Sequence, residues 1–218
     1  MKRSQQKLVL FLSLAILLTF FGFAFGDMVI LLKDGRTIHV PVNKDDIVSL
    51  SFDRGSQLAA DITWDFESGD LRGWTKTGAA FDTQPTYGDN PTARHRGQPS
   101  NHQGNYWIGG YENRHRPSDP PGRVQGDGPQ GTLTSKPFTI ATPVLNFLIG
   151  GGCDINTERV ELIVNRQVVL RATGKCTETM ERVLWDVTPY MGHTAQIRLI
   201  DASSGGWGHI NFDDVRFE

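Results

Sequence analysis

The sequence is short of cysteine, with two in 218 residues, Cys153 and Cys176. Two thiols with no C-x-x-C spacing are too few ligands for a zinc or iron–sulfur centre. No cysteine lies near the end of the apolar leader, which argues against a lipoprotein anchor. Catalytic signatures are missing as well. There is no Gly-x-Ser-x-Gly elbow and no His-Glu-x-x-His pair, and Gly150-Gly151-Gly152 runs into Cys153-Asp154 without the lysine or helix of a phosphate loop. A glycosidic pair of carboxylates leaves no such mark, because its separation is set in space, so hydrolysis stays a distant alternative. After residue 26 no stretch sustains helical periodicity. Positive charge is also scarce: without Lys2, Arg3 and Lys7 of the leader, 19 basic side chains face 24 acidic ones, a formal charge of −5. Nucleic acid is a poor partner for such a chain, since phosphate binding rests on concentrated Lys and Arg. The one local basic cluster, Arg94-His95-Arg96, reads as a solvated loop.

What is present begins with export. Three basic residues precede a run, 8–25, that is apolar apart from Ser13, Thr19 and Gly22. Ala24 and Gly26 supply the small residues of a signal-peptidase site, with cleavage before Asp27, so residues 1–26 read as a signal peptide. The competing reading is an uncleaved membrane anchor, and only in that case is a membrane a partner. In an oxidising compartment Cys153 and Cys176 are expected to form a disulfide. They lie about equally far out along a hairpin whose arms are Val160-Glu161-Leu162-Ile163-Val164 and Gln167-Val168-Val169-Leu170-Arg171, turning at Asn165-Arg166.

Residues 27–53 read as a small three-stranded β unit. Met28-Val29-Ile30-Leu31-Leu32 leads to the turn signal Asp34-Gly35, Thr37-Ile38-His39-Val40 is stopped by Pro41, and 47–52 is the third strand. Its exposed edge could pair with a protein of the cell envelope. Residues 54–61 are the linker. From 62 to 218 short strands alternate with Gly, Pro, Asn and Asp clusters, which predicts an all-β sandwich. The strands are Ile62-Thr63-Trp64-Asp65-Phe66-Glu67, Tyr106-Trp107-Ile108, 131–134, 144–149, the hairpin, 182–187, 195–200 and a closing strand. Ala195, Ile197 and Leu199 share one face. Residues 84–130 are too long for an ordinary loop. They form either ordered loops over one end or face of the sandwich, packed through Tyr87, Tyr106, Trp107 and Tyr111, or leave 117–130 disordered.

Several motifs in this order carry a resemblance. Trp64-Asp65-Phe66-Glu67-Ser68-Gly69-Asp70-Leu71-Arg72-Gly73-Trp74 is similar to the opening of jelly-roll carbohydrate-binding modules. Thr132 to Ile140, Leu145 to Gly152, Arg159-Val160-Glu161-Leu162 and Gly205 to Phe217 resemble the fructan-binding module of bacterial levanases, in glycoside hydrolase family 32. The resemblance implies a jelly-roll β-sandwich that binds carbohydrate without cleaving it, fructan or another extracellular polysaccharide. The catalytic propeller that accompanies the module in levanases has no counterpart upstream, and the 84–130 region is longer than theirs. The resemblance also implies a structural calcium held by Glu67 of the opening motif and Asp213 of the closing one, tying the chain ends together. As plain residues, these acids could equally be surface charges or turn caps.

Sugar sites combine aromatic faces with polar groups that fix hydroxyls. Trp207 and His209 in the Gly-rich loop, with Arg159 and Glu112, are the candidates. Against this, Trp207 could pack the loop, and His209 and Arg159 could make structural hydrogen bonds. Trp64, Trp74, Trp107 and Trp185 are expected in the core. His95, His102 and His115 match no metal spacing and read as solvated. The expected function is exported, non-catalytic carbohydrate binding on a calcium-stabilised scaffold; the alternative is a structural or protein-interaction domain of the envelope, free of sugar.

Overall fold

The computed structural model describes residues 26–31, 36–42 and 62–218. The chain divides into two compact units, Met1–Arg54 and Gly55–Glu218. In the first, β1 (Gly26–Leu31) pairs antiparallel with β2 (Thr37–Val42). Pro41 does not stop this strand as expected; it lies inside β2, opposite Asp27. Among the described residues each strand of this pair has a neighbour on one edge only, and at the other edge a missing N–H leaves no ladder bond unmade. Residues 1–25 of the expected signal peptide 1–26, the expected Asp34-Gly35 turn, the expected third strand at 47–52 and the expected linker at 54–61 lie outside the described residues.

The second unit is a sandwich of two antiparallel sheets. Its strands are β3 (Trp74–Gly78), β4 (Thr86–Tyr87), β5 (Tyr106–Gly109), β6 (Gly131–Ser135), β7 (Phe138–Thr139), β8 (Val144–Gly151), β9 (Glu158–Val164), β10 (Gln167–Ala172), β11 (Thr177–Asp186), β12 (Thr194–Asp201) and β13 (Ile210–Phe217). One sheet runs β10-β9-β12-β6-β3, with β7 alongside β12, and the other runs β11-β8-β13-β5-β4. The β4–β5, β6–β7 and β9–β10 pairs stay within one sheet, and the other connections cross between the sheets in the manner of a jelly roll. Alternation builds the core: Val160, Leu162 and Val164 of β9 and Ala195, Ile197 and Leu199 of β12 face Leu145, Phe147 and Phe212 of the second sheet. Trp74, Trp107 and Trp185 are buried, and Trp64 packs edge-on against Trp74, Phe138 and Phe217.

The expected first strand at 62–67 is instead a series of tight turns. Asp65 accepts hydrogen bonds from the Glu67 N–H and the Thr63 hydroxyl, and Phe66 sits at φ 56°. These local bonds compete with a ladder and win, because short polar side chains reach their own backbone first. This opening segment of the sandwich is tied to the last strand by a bond from Val215 N–H to the Trp64 carbonyl. The β9–β10 hairpin turns at Asn165-Arg166, both at positive φ as a two-residue hairpin requires. Cys153 and Cys176 are joined by a disulfide just beyond its arms. Of the two readings of 84–130, the ordered one holds. The segment carries a one-turn helix, α1 (Asn90–Ala93), as well as β4 and β5, and Gln84 pins it through bonds to Gly109 and Glu112.

Candidate functional site

The ordered 84–130 segment lies over the second sheet and brings charged groups onto it. Asp89 caps α1 by accepting from Thr92 N–H, and also holds Ser100 N–H. Asn90, inside that helix, donates to Glu112 Oε2 at 2.5 Å and to the Arg123 carbonyl at 2.8 Å, and accepts from Gly122 N–H. Arg94 follows. Its guanidinium donates twice to Glu112 Oε1, at 3.0 and 2.9 Å, and once to Glu178 Oε1 of β11 at 2.5 Å. Both carboxylates are buried, so a two-pronged arginine is the group suited to satisfying them together.

His209 completes the network from just before β13. It is 2% exposed. Its Nδ1–H donates to Asp127 Oδ1 at 2.7 Å, while Nε2 stands 3.4 Å from Glu178 Oε2, too poorly placed for a hydrogen bond but close enough for charge to act. Burial pushes the imidazole down, but Asp127 and Glu178 outweigh it and raise His209 to about 9, so the ring is cationic at neutral pH. Burial likewise pushes Glu178 up, and the cations His209 and Arg94 overcome it, holding that carboxyl at about 2. Burial prevails at Glu112, whose carboxyl is raised in spite of Arg94 and Asn90.

Rings and cations follow one another through this network in one column, the ring pairs tilted rather than parallel. Arg94 lies 4.6 Å over the Tyr111 ring, Tyr111 is 5.3 Å from His209, His209 is 5.5 Å from Trp207, and Arg96 lies 5.1 Å over Trp207. Trp207 stands at φ 64°, a left-handed conformation that a bulky aromatic seldom adopts. Gly208 makes the turn possible, since a Cβ there would be 2.6 Å from the Ser203 carbonyl oxygen. Trp207 is thus held by two neighbours, Arg96 over its ring and His209 tilted beside it. Half-buried Trp207 and Tyr111, the Asp127 carboxylate and the Arg96 guanidinium form the accessible end of the column.

Trp207, His209 and Glu112 thus come together, linked through Arg94 and Glu178. Arg159 does not join them. It projects from the outer face of the first sheet, donating to Glu161 Oε1 at 2.7 Å and to the Asn156 carbonyl at 2.6 Å. Glu161 there is also bound by Arg198 and faces Arg171, its cross-strand neighbours. The Arg94-His95-Arg96 cluster needs correcting too. His95 is exposed, but Arg94 is 16% exposed in its side chain and Arg96 is stacked. Nor are the other two loop histidines solvated. His102 is half-buried, stacked on Trp107 and bonded to Ser100, while His115 is held by the Pro85 carbonyl. Arg94, Glu178 and Asp127 were not foreseen, and no local pattern marks them.

Glu67 and Asp213 grip one short segment from two sides. Glu67 Oε1 accepts from the N–H groups of Asn105 and Tyr106, each at 2.7 Å, and Asp213 Oδ2 accepts from Gln103 N–H at 2.7 Å. Between them Gly104, at φ 64°, leaves room for the Glu67 carboxylate, since a Cβ would be 2.3 Å from Glu67 Cδ. Asp213 is wholly buried. Burial pushes its carboxyl up to about 8, and the like charges of Asp214 and Glu67 add to this. Among the described residues no three acid, His or Cys side chains converge as a metal set. Backbone oxygens would have to supply further ligands. No described helix is long and apolar enough to cross a membrane.

No protein-family profile matches the sequence. Over 156 residues the chain is 35% identical to the putative glycosyl hydrolase ecdE of Aspergillus rugulosus, covering 70% of this chain and 20% of that protein. The chain spans about a fifth of the length of that relative. Among solved structures, the carbohydrate-binding module TmCBM61 in complex with β-1,4-galactotriose matches at 15% identity and a TM-score of 0.41, over 71% of this chain and 95% of that one. The K1 cleaved adhesin domain of Lys-gingipain from Porphyromonas gingivalis W83 matches at 15% identity and a TM-score of 0.38, over 69% and 93%.

Proposed function

We propose that the sandwich binds carbohydrate, without cleaving it, at the corner formed by Trp207, Arg96, Tyr111 and Asp127. The column of alternating cations and rings carries this reading. It holds an aromatic, a carboxylate and a guanidinium at the surface in one fixed geometry, with their order maintained by the buried pairs Arg94–Glu112 and Arg94–Glu178 beneath. Such preorganisation lowers the entropy lost on gripping a polyol, whose hydroxyls pair with Asp127 and Arg96.

Fructan is the first glycan to test, on the strength of the levanase-module resemblance. The relative described as a glycosyl hydrolase supports a carbohydrate context, and a segment of this size fits an accessory part of it. Catalysis is the weaker reading: Glu112, Glu178, Glu158 and Asp201, which could serve as acid and base, are all buried out of reach of a sugar. Export fits the Cys153–Cys176 disulfide, which persists in oxidising compartments. A calcium ion at Glu67 and Asp213 belongs to the same proposal. A buried carboxylate beside two others is a poor arrangement without a cation and a good one with it.

Affinity gels cast with levan, inulin or plant polysaccharides test the binding. Wild type and Arg159→Ala should be retarded alike, with Trp207→Ala weakened at least about tenfold, the loss of a single aromatic anchor. Equal retardation of Trp207→Ala would place the site elsewhere. Absence of retardation on every glycan, with specific capture of an envelope protein, would favour the structural alternative.

A further inference from the structure

At one end of the sandwich two acids face into it. Glu158 opens β9 and Asp201 closes β12, directly opposite each other across that strand pair. Each shares the parity of core residues on its strand, Val160 and Leu162 in β9, Ile197 and Leu199 in β12. Side chains alternate along a strand, so both carboxyls project between the sheets rather than into water. Each residue is 2% exposed. Like charges directly opposite repel, and a low-dielectric interior amplifies the repulsion.

The two acids are not equally served. Glu158 Oε1 accepts from Ser203 N–H at 3.0 Å, and Oε2 accepts from the Thr157 hydroxyl. Asp201 Oδ1 is buried with no hydrogen-bond partner. The cation that acts on Asp201 is His209, and its charge is already matched by Asp127 and Glu178. Over the same end the 203–208 loop turns a carbonyl inward. A Cβ on Gly152 would lie 2.4 Å from the Trp207 carbonyl oxygen and 2.8 Å from Glu158 Cγ. Loop backbone and acid side chain therefore converge on the bare face of this glycine.

We propose that Glu158 and Asp201 hold a hard divalent cation of the calcium class between the sheets, with backbone oxygens of the 203–208 loop completing its shell. Carboxylates with carbonyls are the ligand chemistry such ions take, and two acids plus backbone need no third acidic side chain. Burial and the nearby Glu158 charge push Asp201 up to about 8, and a divalent ion reverses that penalty. This site is separate from Glu67 and Asp213, and its ion can be counted with no sugar present. It would fix the loop that carries Trp207.

Equilibrium dialysis of the full chain against calcium, counting ions per molecule, tests it. Asp201→Asn should bind one ion fewer than wild type, whether or not the Glu67–Asp213 site is filled, and Asp213→Asn reports that site separately. In chelator Asp201→Asn should melt no lower than wild type, because it removes a repelled charge, while calcium should raise its midpoint less. Glu158→Gln should lose the same ion and serves if Asp201→Asn folds poorly. Equal ion counts for wild type and both variants would overturn the proposal, including the case in which Asp201 is simply protonated.

Discussion

Arg94 is the residue on which the buried network turns. It supplies the guanidinium that Glu112 and Glu178 share, and removing it strands two carboxylates away from water. Breaking one side of a buried pair costs about 3–5 kcal/mol, so Arg94→Met should lose roughly that much in a denaturant titration. A loss below about 1 kcal/mol would mean that the ion pairs contribute little. His209 gives a pH dependence. Its folded value, about 9, lies above the ordinary 6.5, so its contribution is complete below about pH 6.5 and is lost as pH rises through about 9. At about 1.4 kcal/mol per tenfold change in proton affinity this amounts to about 3 kcal/mol. The stability difference between wild type and His209→Gln, measured in chelator, should shrink by that order between pH 6.5 and 9; a constant difference would show that the ring is neutral in the fold. Both residue types are visible in the sequence, but their partners are not. Arg94 and Glu178 are separated by 84 positions, and His209 and Asp127 by 82.

Strands with a regular pattern were legible as elements. In β12 the apolar residues alternate, and the Asn165-Arg166 turn between two β-branched arms marked the β9–β10 hairpin. That hairpin also placed Cys153 and Cys176 at matching distances, and their sulfurs are bonded. The bridge spans a sequence separation of 23. Replacing both cysteines by serine should cost about 3 kcal/mol through the freedom returned to the unfolded chain, read as a lower melting midpoint that reductant no longer changes. A midpoint equal to wild type would mean that the hairpin already constrains these ends. The 62–67 segment was illegible as turns because its apolar residues mimic a strand, while Asp65 and the left-handed Phe66 decide otherwise.

At the scale of the whole molecule, the sandwich separates two charged regions. The Arg159–Glu161–Arg198 cluster occupies the outer face of the first sheet, and the Arg94–Glu178–His209 network occupies the second sheet beneath the 84–130 segment. The opening and closing segments of the sandwich meet at the 103–106 segment through Glu67 and Asp213, the acids proposed to share calcium. A ligand that binds only the folded form stabilises it by about 2.7 kcal/mol at a hundred times its Kd. Chelator should therefore lower the melting midpoint of wild type, and of Asp213→Asn by less. Identical midpoints with and without chelator would remove calcium from the scaffold.

Composition and alternation by themselves determined the all-β class, the hairpin, the disulfide and the tryptophans of the core, because burial of apolar faces is a local and periodic signal. Tertiary structure alone decided which charges meet. Trp207 was brought beside Arg96 and His209, and Arg159 was set apart from the residues it was grouped with. The physical reason is that ion pairs and ring stacks join side chains from distant strands, and their partners are chosen by sheet order and loop path, which no periodicity in the sequence encodes.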